Sequence, residues 1–169
     1  MPDWLSAINF IDLATPVDFS QKCFLARFDF NVPLVGQTIV DDSRLRQALP
    51  VIKYLLNSRA KILAISHLGR DGAGSLLPVF NWLQQQGLTL AWSPDWPTAI
   101  KLLADNQLVL LENLRRWPEE TANDLSFALG LASHFDFYLN EAFSVCHRQH
   151  LSVVGWPKLL PAFAGPHLR

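Results

Sequence analysis

Just past the apolar runs of this sequence lie short polar segments of one recurring kind. Asp29 and Asn31 follow KCFLARF, while His67 and Arg70 follow AKILAIS within SHLGRDG. Asn113 and Arg115 lie in LLENLR, and His147, Arg148 and His150 lie in SVCHRQH. Arg44 stands directly after Asp41-Asp42-Ser43, at the start of an amphipathic run, where it can turn toward the same edge. The arginine guanidinium is a planar fork of donors that meets phosphate or carboxylate two bonds at a time. Asp29 and Asn31 add acceptors and a donor suited to a hydroxyl. Gathered in one crevice, these groups predict a small anionic ligand carrying phosphate, carboxylate and hydroxyl groups on a short carbon frame.

The elements that must gather them are legible from periodicity. Lys22 to Phe28 is a short apolar run closed by the turn formers Asn31, Pro33 and Gly36, and reads as a strand. After it, RLRQALPVIKYLLNS places Leu45, Leu49, Ile52, Leu55 and Leu56 at helical spacing, with Pro50 expected to interrupt or kink the helix. The alternation then repeats. AKILAIS, LTLAW, QLVLLEN and FDFYLNEAF read as strands, and SLLPVFNWLQQQ, TAIKLLAD and DLSFALGLASH as helices. Continuously apolar strands separated by helical segments predict a doubly wound, Rossmann-like α/β fold, a parallel sheet with helices on both faces in three layers. In such sheets ligands bind just beyond the carboxyl ends of the strands, which is where the polar segments stand.

Composition narrows the ligand classes. Half of the 169 residues are hydrophobic and 17% are charged, which predicts a single packed domain rather than a disordered chain. The formal net charge is -1, with no polybasic run, so neither nucleic acid nor an anionic membrane is an expected partner and the anion site must be a local cluster. Cys23 and Cys146 form no CxxC or zinc-ligand spacing, so neither a disulfide framework nor a metal site is expected, and a reducing cytoplasm fits. The N-terminal stretch lacks the layout of a signal peptide, and no run is long and apolar enough to span a membrane. There is no GxGxxG after a strand, no GxxxxGK[ST] and no GxSxG, so the chain itself is expected to hold no nucleotide cofactor and to do no covalent catalysis.

Each of these residues also has a plainer use. A single arginine after a strand is commonly a solvated loop residue, Asp29 and Asn31 can form an Asx turn, and His67 can be a satisfied core histidine. Asp41 and Asp42 read as helix-start charges, Cys146 as a small packed hydrophobe, and Glu119-Glu120 with Asp124 as a solvated loop and a helix cap. The closing segment HLSVVGWPKLLPAFAGPHLR carries three prolines, shows neither a strand nor a capped helix, and reads as cut rather than finished.

The blocks RFDFNVP, DDSRLRQALP, SHLGRDG, LLENLRRWPEE and NEAFSVCHRQH, in order and spacing, resemble the N-terminal half of phosphoglycerate kinases, from about Phe24 to about Gly165. The resemblance implies an N-terminal domain that binds 3-phosphoglycerate or 1,3-bisphosphoglycerate. It places the magnesium ADP or ATP site on a C-terminal domain that this chain does not include. Asp29 and Asn31 would hold the substrate's hydroxyl region, and Arg44 would be the catalytic arginine that stabilises the transferring phosphoryl group. His67, Arg70, Arg115 and Arg148 would complete the substrate cluster.

The implied protein is a monomeric cytoplasmic kinase, with this chain inactive by itself. The alternative is a stand-alone binding or regulatory module derived from the same domain. The family usually reads DAFGTAHR where this chain reads EAFSVCHR, so Glu141, Ser144, Val145 and Cys146 are departures in the loop that carries Arg148. RWPEE likewise replaces an HPGEE-like segment.

Overall fold

The structure is a computed structural model that describes residues 9–168. Its sheet is built from strands β1 (Asn9–Phe10), β2 (Cys23–Phe28), β5 (Lys61–Ile65), β6 (Ala91–Ser93), β7 (Leu108–Leu111), β8 (Phe137–Glu141) and β9 (Ala162–Ala164), all pairing in parallel. A separate hairpin joins β3 (Leu34–Val35) to β4 (Thr38–Ile39). The helices are α1 (Ser43–Asn57), α2 (Leu77–Gln85), α3 (Trp96–Leu102), α4 (Pro118–Ala122) and α5 (Leu125–Ala132).

Because successive strand side chains point to opposite faces, the apolar runs fill two cores at once. Phe24, Ala26, Phe28, Ile62, Ala64, Leu108 and Leu110 pack on one face with Leu45, Ile52 and Leu55 of α1 and Val79 and Leu83 of α2. Leu25, Leu63, Ile65, Val109, Leu111 and Tyr138 pack on the other with Trp96 and Ala99 of α3 and Ala128 of α5. The expected three-layer, doubly wound parallel sheet is therefore the observed one.

The strand order β1-β9-β8-β2-β5-β7-β6 puts β2 at the centre. The chain leaves β2 toward β5 on one side and returns to it as β8 on the other. The crevice beyond the carboxyl ends of β2 and β8 is thus the point at which strand order reverses, the usual ligand position in open α/β sheets.

Local differences from the sequence expectation have physical reasons. Helix α1 runs unbroken through Pro50, because the apolar face of Leu45, Ala48, Val51, Ile52 and Leu55 is buried whereas Pro50 is exposed. Packing outweighs the lost amide donor, whose former acceptor faces solvent. The closing segment does contain a strand: β9 lies between β8 and β1, with Leu139 opposite Phe163 and Asn9 opposite Phe163. Three residues between prolines carry too little pattern to announce a strand; the open edge of β8 supplies it. Glu119 and Glu120 lie in α4 rather than in a solvated loop, and Glu120 is buried. Cys146 is exposed rather than packed. Asp124 caps α5 as expected, accepting from the amides of Ser126 and Phe127 at 2.9 and 3.1 Å.

Candidate functional site

Four connections converge on the switch-point crevice, and hydrogen bonds among them fix their spacing. Ser66, at the end of β5, donates its hydroxyl to the Phe28 carbonyl at 2.7 Å and accepts from the Phe30 amide at 3.0 Å. That pair sets the chain leaving β2, which carries Asp29 and Asn31. The Asn31 Oδ1 then accepts from the Gly69 amide at 2.9 Å, tying this turn to the loop that carries Arg70. Asn113 is fully buried and ties the same loop to the next connection. Its Nδ2 donates to the carbonyls of Leu68 and Gly74 at 2.7 and 2.8 Å, and its Oδ1 accepts from the amides of Leu68 and Arg115. Asn113 is therefore a loop brace rather than a ligand group.

Asp29 is half-buried and heavily engaged. Arg44 reaches across from the first turn of α1 and donates Nη1 to both Asp29 carboxylate oxygens at 3.1 Å and to the Asn31 carbonyl at 3.2 Å. Ser144, from the connection after β8, donates its hydroxyl to Asp29 Oδ2 at 2.7 Å. The Asx-turn bond from the Asn31 amide is long, at 3.4 Å, so Asp29 is held chiefly by Arg44 and Ser144. A small cavity of about 50 Å³ opens beside this pair, lined by Asp29, Arg44, Gln47, Ala48, Glu141, Phe143 and His167. Glu141 is buried within it, paired with His167, and burial raises its carboxyl above the usual range.

The basic residues gather beside this end. Arg115 donates Nη1 to the carbonyls of Gly69 and Arg70 at 2.9 and 3.0 Å. Its guanidinium is held below its usual pKa first by burial and then by the charges of Arg148 and Arg27. Arg70 and Arg148 are exposed. They are two solvated cations whose charges reach Arg115. His150 is partly buried, with Nδ1 at 3.9 Å from a Glu120 oxygen, and burial lowers its pKa. His147 is exposed and takes no part in these contacts among the described residues.

His67 is buried and partnered, as the plainer reading of a satisfied core histidine expects. It is only 4% exposed, as a core histidine would be, and its Nδ1 lies 2.7 Å from Arg27 Nη2. Arginine can only donate, so Nδ1 accepts and the neutral ring carries its proton on Nε2. Burial, then the charges of Arg27, Arg115, Arg148 and His150, push its pKa down to about 3. His67 therefore faces the cluster as a neutral donor.

Arg27 and Glu120 were not among the residues expected at the site. Arg27 is 2% exposed near the carboxyl end of β2, and a guanidinium inside a continuously apolar parallel strand requires a buried partner. That misfit in KCFLARF was the available signal. It could not name the partner, because Glu120 is distant in sequence and reads as part of a solvated loop.

With this geometry in place, comparison with known proteins decides the family. The sequence profile of phosphoglycerate kinase matches residues 14–169. The chain belongs to the phosphoglycerate kinase family. The phosphoglycerate kinase of Rubrobacter xylanophilus is 43% identical over 155 residues, covering 85% of this chain and 39% of that protein. That of Dictyoglomus turgidum is 40% identical over 158 residues, covering 88% of this chain and 40% of the relative. The solved phosphoglycerate kinase of Coxiella burnetii superposes with a TM-score of 0.81 at 29% identity, over 94% of this chain and 42% of that one. The chain thus spans about two fifths of the length of the curated relatives it matches. Ser144 and Glu141, departures from the usual phosphoglycerate kinase loop, contact Asp29 and His167 respectively.

Proposed function

We propose that this chain supplies the 3-phosphoglycerate-binding side of a cytoplasmic, monomeric phosphoglycerate kinase, which moves a phosphoryl group between ATP and the substrate carboxylate. The observation that carries this reading is the meeting of Arg44, Arg70, Arg115 and Arg148 with a neutral His67 at the sheet's switch point, next to Asp29 and Asn31.

In this reading Arg70, Arg115 and Arg148 take the substrate phosphate, and His67 adds its Nε2 proton to an oxygen. Asp29 and Asn31 hold the hydroxyl region. Arg44, with Nη1 committed to Asp29, directs its remaining N–H groups at the carboxylate end, where the transferred group's charge develops. Phosphoryl transfer makes few covalent demands on the protein and responds mainly to positioning and to charge stabilisation. The described residues contain no group of three His, Cys, Asp or Glu side chains able to hold a metal ion. The sequence also has no phosphate-cradling glycine loop. The family resemblance would place the magnesium nucleotide on the part of those kinases that this chain does not span, and no step of the transfer is assigned to residues here beyond binding and orienting the acceptor.

Calorimetric titration of the chain with 3-phosphoglycerate tests the assignment. Saturable binding is expected, weakening as salt rises because two of the cations are solvated. Arg148→Ala should weaken it by about tenfold or more with the melting temperature unchanged, since a hydrogen bond to a charged group contributes about 1.5 to 3 kcal/mol. Absence of binding, or equal affinity for inorganic phosphate, would overturn the proposal.

A further inference from the structure

Beneath the exposed cations lies a second, buried layer of polar groups. Glu120 is 4% exposed, and its two oxygens accept from the Ser152 amide at 2.9 Å and the Ser152 hydroxyl at 2.5 Å. Arg27 Nη1 donates to the same hydroxyl at 3.1 Å and lies 3.8 Å from Glu120 Oε1. Tyr138, fully buried on β8, donates its hydroxyl to the Ser152 carbonyl. Ser152 sits in a π-helical turn, Leu151–Gly155, that begins directly after Arg148, Gln149 and His150. One carboxylate from α4 therefore meets the end of the Arg148 loop and, through Ser152, the guanidinium that holds His67.

We infer that Glu120 is a positioning residue for the substrate side of the site. It pins the Arg148 loop through Ser152 and, by balancing and orienting Arg27, fixes His67 as the Nε2–H tautomer. The inference rests on the proposed 3-phosphoglycerate reading for its ligand, but not for its structural half.

Arg27 carries a full charge out of contact with water, and Glu120 is the carboxylate within ion-pair distance of it. A buried charge stripped of its partner does not stay where it was, because the desolvation cost is then uncompensated. Without Glu120, Arg27 is drawn toward solvent, and the Nδ1 of His67 loses its donor. The ring is then free to rotate or to carry its proton on Nδ1, which turns the proton away from its present direction. Over the same change Ser152 loses both of its acceptors on Glu120, so the turn that ends the Arg148 loop is no longer held. One substitution in a helix that touches no ligand is thus expected to disturb two ligand groups.

The test uses the full chain with two variants. Glu120→Gln keeps size and one acceptor but removes the charge; Ser152→Ala removes the hydroxyl bridge and keeps the charge. Long-range nitrogen-proton spectra at neutral pH report the His67 tautomer, calorimetry reports 3-phosphoglycerate affinity, and thermal melts report folding. The expected results are a single Nε2–H form of His67 in the native chain and a shifted or mixed form in Glu120→Gln. Affinity should fall by about tenfold in Glu120→Gln, with a smaller loss in Ser152→Ala.

A folded Glu120→Gln that keeps the native His67 spectrum and native affinity overturns the inference, because a merely structural Glu120 would lower the melting temperature alone. So does a native chain in which His67 is the Nδ1–H form. If Glu120→Gln does not fold, Ser152→Ala decides by the same two readouts. If the native chain binds no 3-phosphoglycerate, the proposed function fails while the tautomer spectra still judge this inference.

Discussion

His67 shows how much of a side chain's role is set by its neighbours. Buried against Arg27 and within reach of the charges of Arg115, Arg148 and His150, its ring is pushed down to a pKa of about 3 from the ordinary 6.5. Between those values the unfolded chain binds a proton that the folded chain refuses. Stability from this source is therefore present above pH 6.5 and is lost as pH falls through the window, at up to about 1.4 kcal/mol per pH unit for one proton. His150, lowered by burial, acts in the same direction. Urea unfolding between pH 7 and 4.5 should accordingly show a steeper fall for the native chain than for His67→Gln, and parallel curves would mean that His67 is not held neutral. Asp29, Asn31, Arg70, Arg115 and Arg148 stood out in the sequence because each follows an apolar run, where a polar residue has no packing duty, and Arg44 because it opens a helix beside them. Arg27 and Glu120 did not, because one lies inside such a run and the other reads as part of a solvated loop.

At the scale of elements, the site depends on two loops lying backbone to backbone. Gly72 adopts a φ of +79°, and a Cβ there would stand 2.5 Å from the Arg115 carbonyl oxygen. No side chain fits, and the left-handed conformation alone costs a non-glycine residue about 1 to 2 kcal/mol. Gly72→Ala is expected to destabilise the fold by about 2 kcal/mol or more in urea melts. It should also weaken 3-phosphoglycerate binding, because displacing the Arg115 backbone disturbs the bonds its guanidinium makes to the carbonyls of Gly69 and Arg70 in the same loop. Loss of stability with affinity unchanged would show that the loop pairing does not place the arginines. The backbone surface that Gly72 approaches belongs to a segment more than forty residues on, so no local pattern marks it. The strand β9 and the helix α4 escaped for a related reason: each is short, and each is held by partners distant in sequence.

For the molecule as a whole, the proposed function makes the site one side of a reaction centre. The chain spans about two fifths of its curated relatives. In an ATP-coupled assay the 169-residue chain should bind 3-phosphoglycerate without turnover. Joined to the C-terminal portion of the Rubrobacter xylanophilus relative, it should gain turnover that Arg44→Ala abolishes. Binding in the fusion with no turnover would instead favour a stand-alone binding module.

The alternation of apolar strands and amphipathic helices, and the polar groups at the strand ends, were determined by the sequence alone, because periodicity and turn chemistry are local properties. The order of strands around β2, the bracing by Asn113 and Ser66, and the buried line from Glu120 through Ser152 and Arg27 to His67 were decided only in the tertiary structure. They join residues far apart in the chain. Whether a buried charge finds its partner depends on where the fold brings that partner, and no local pattern records it.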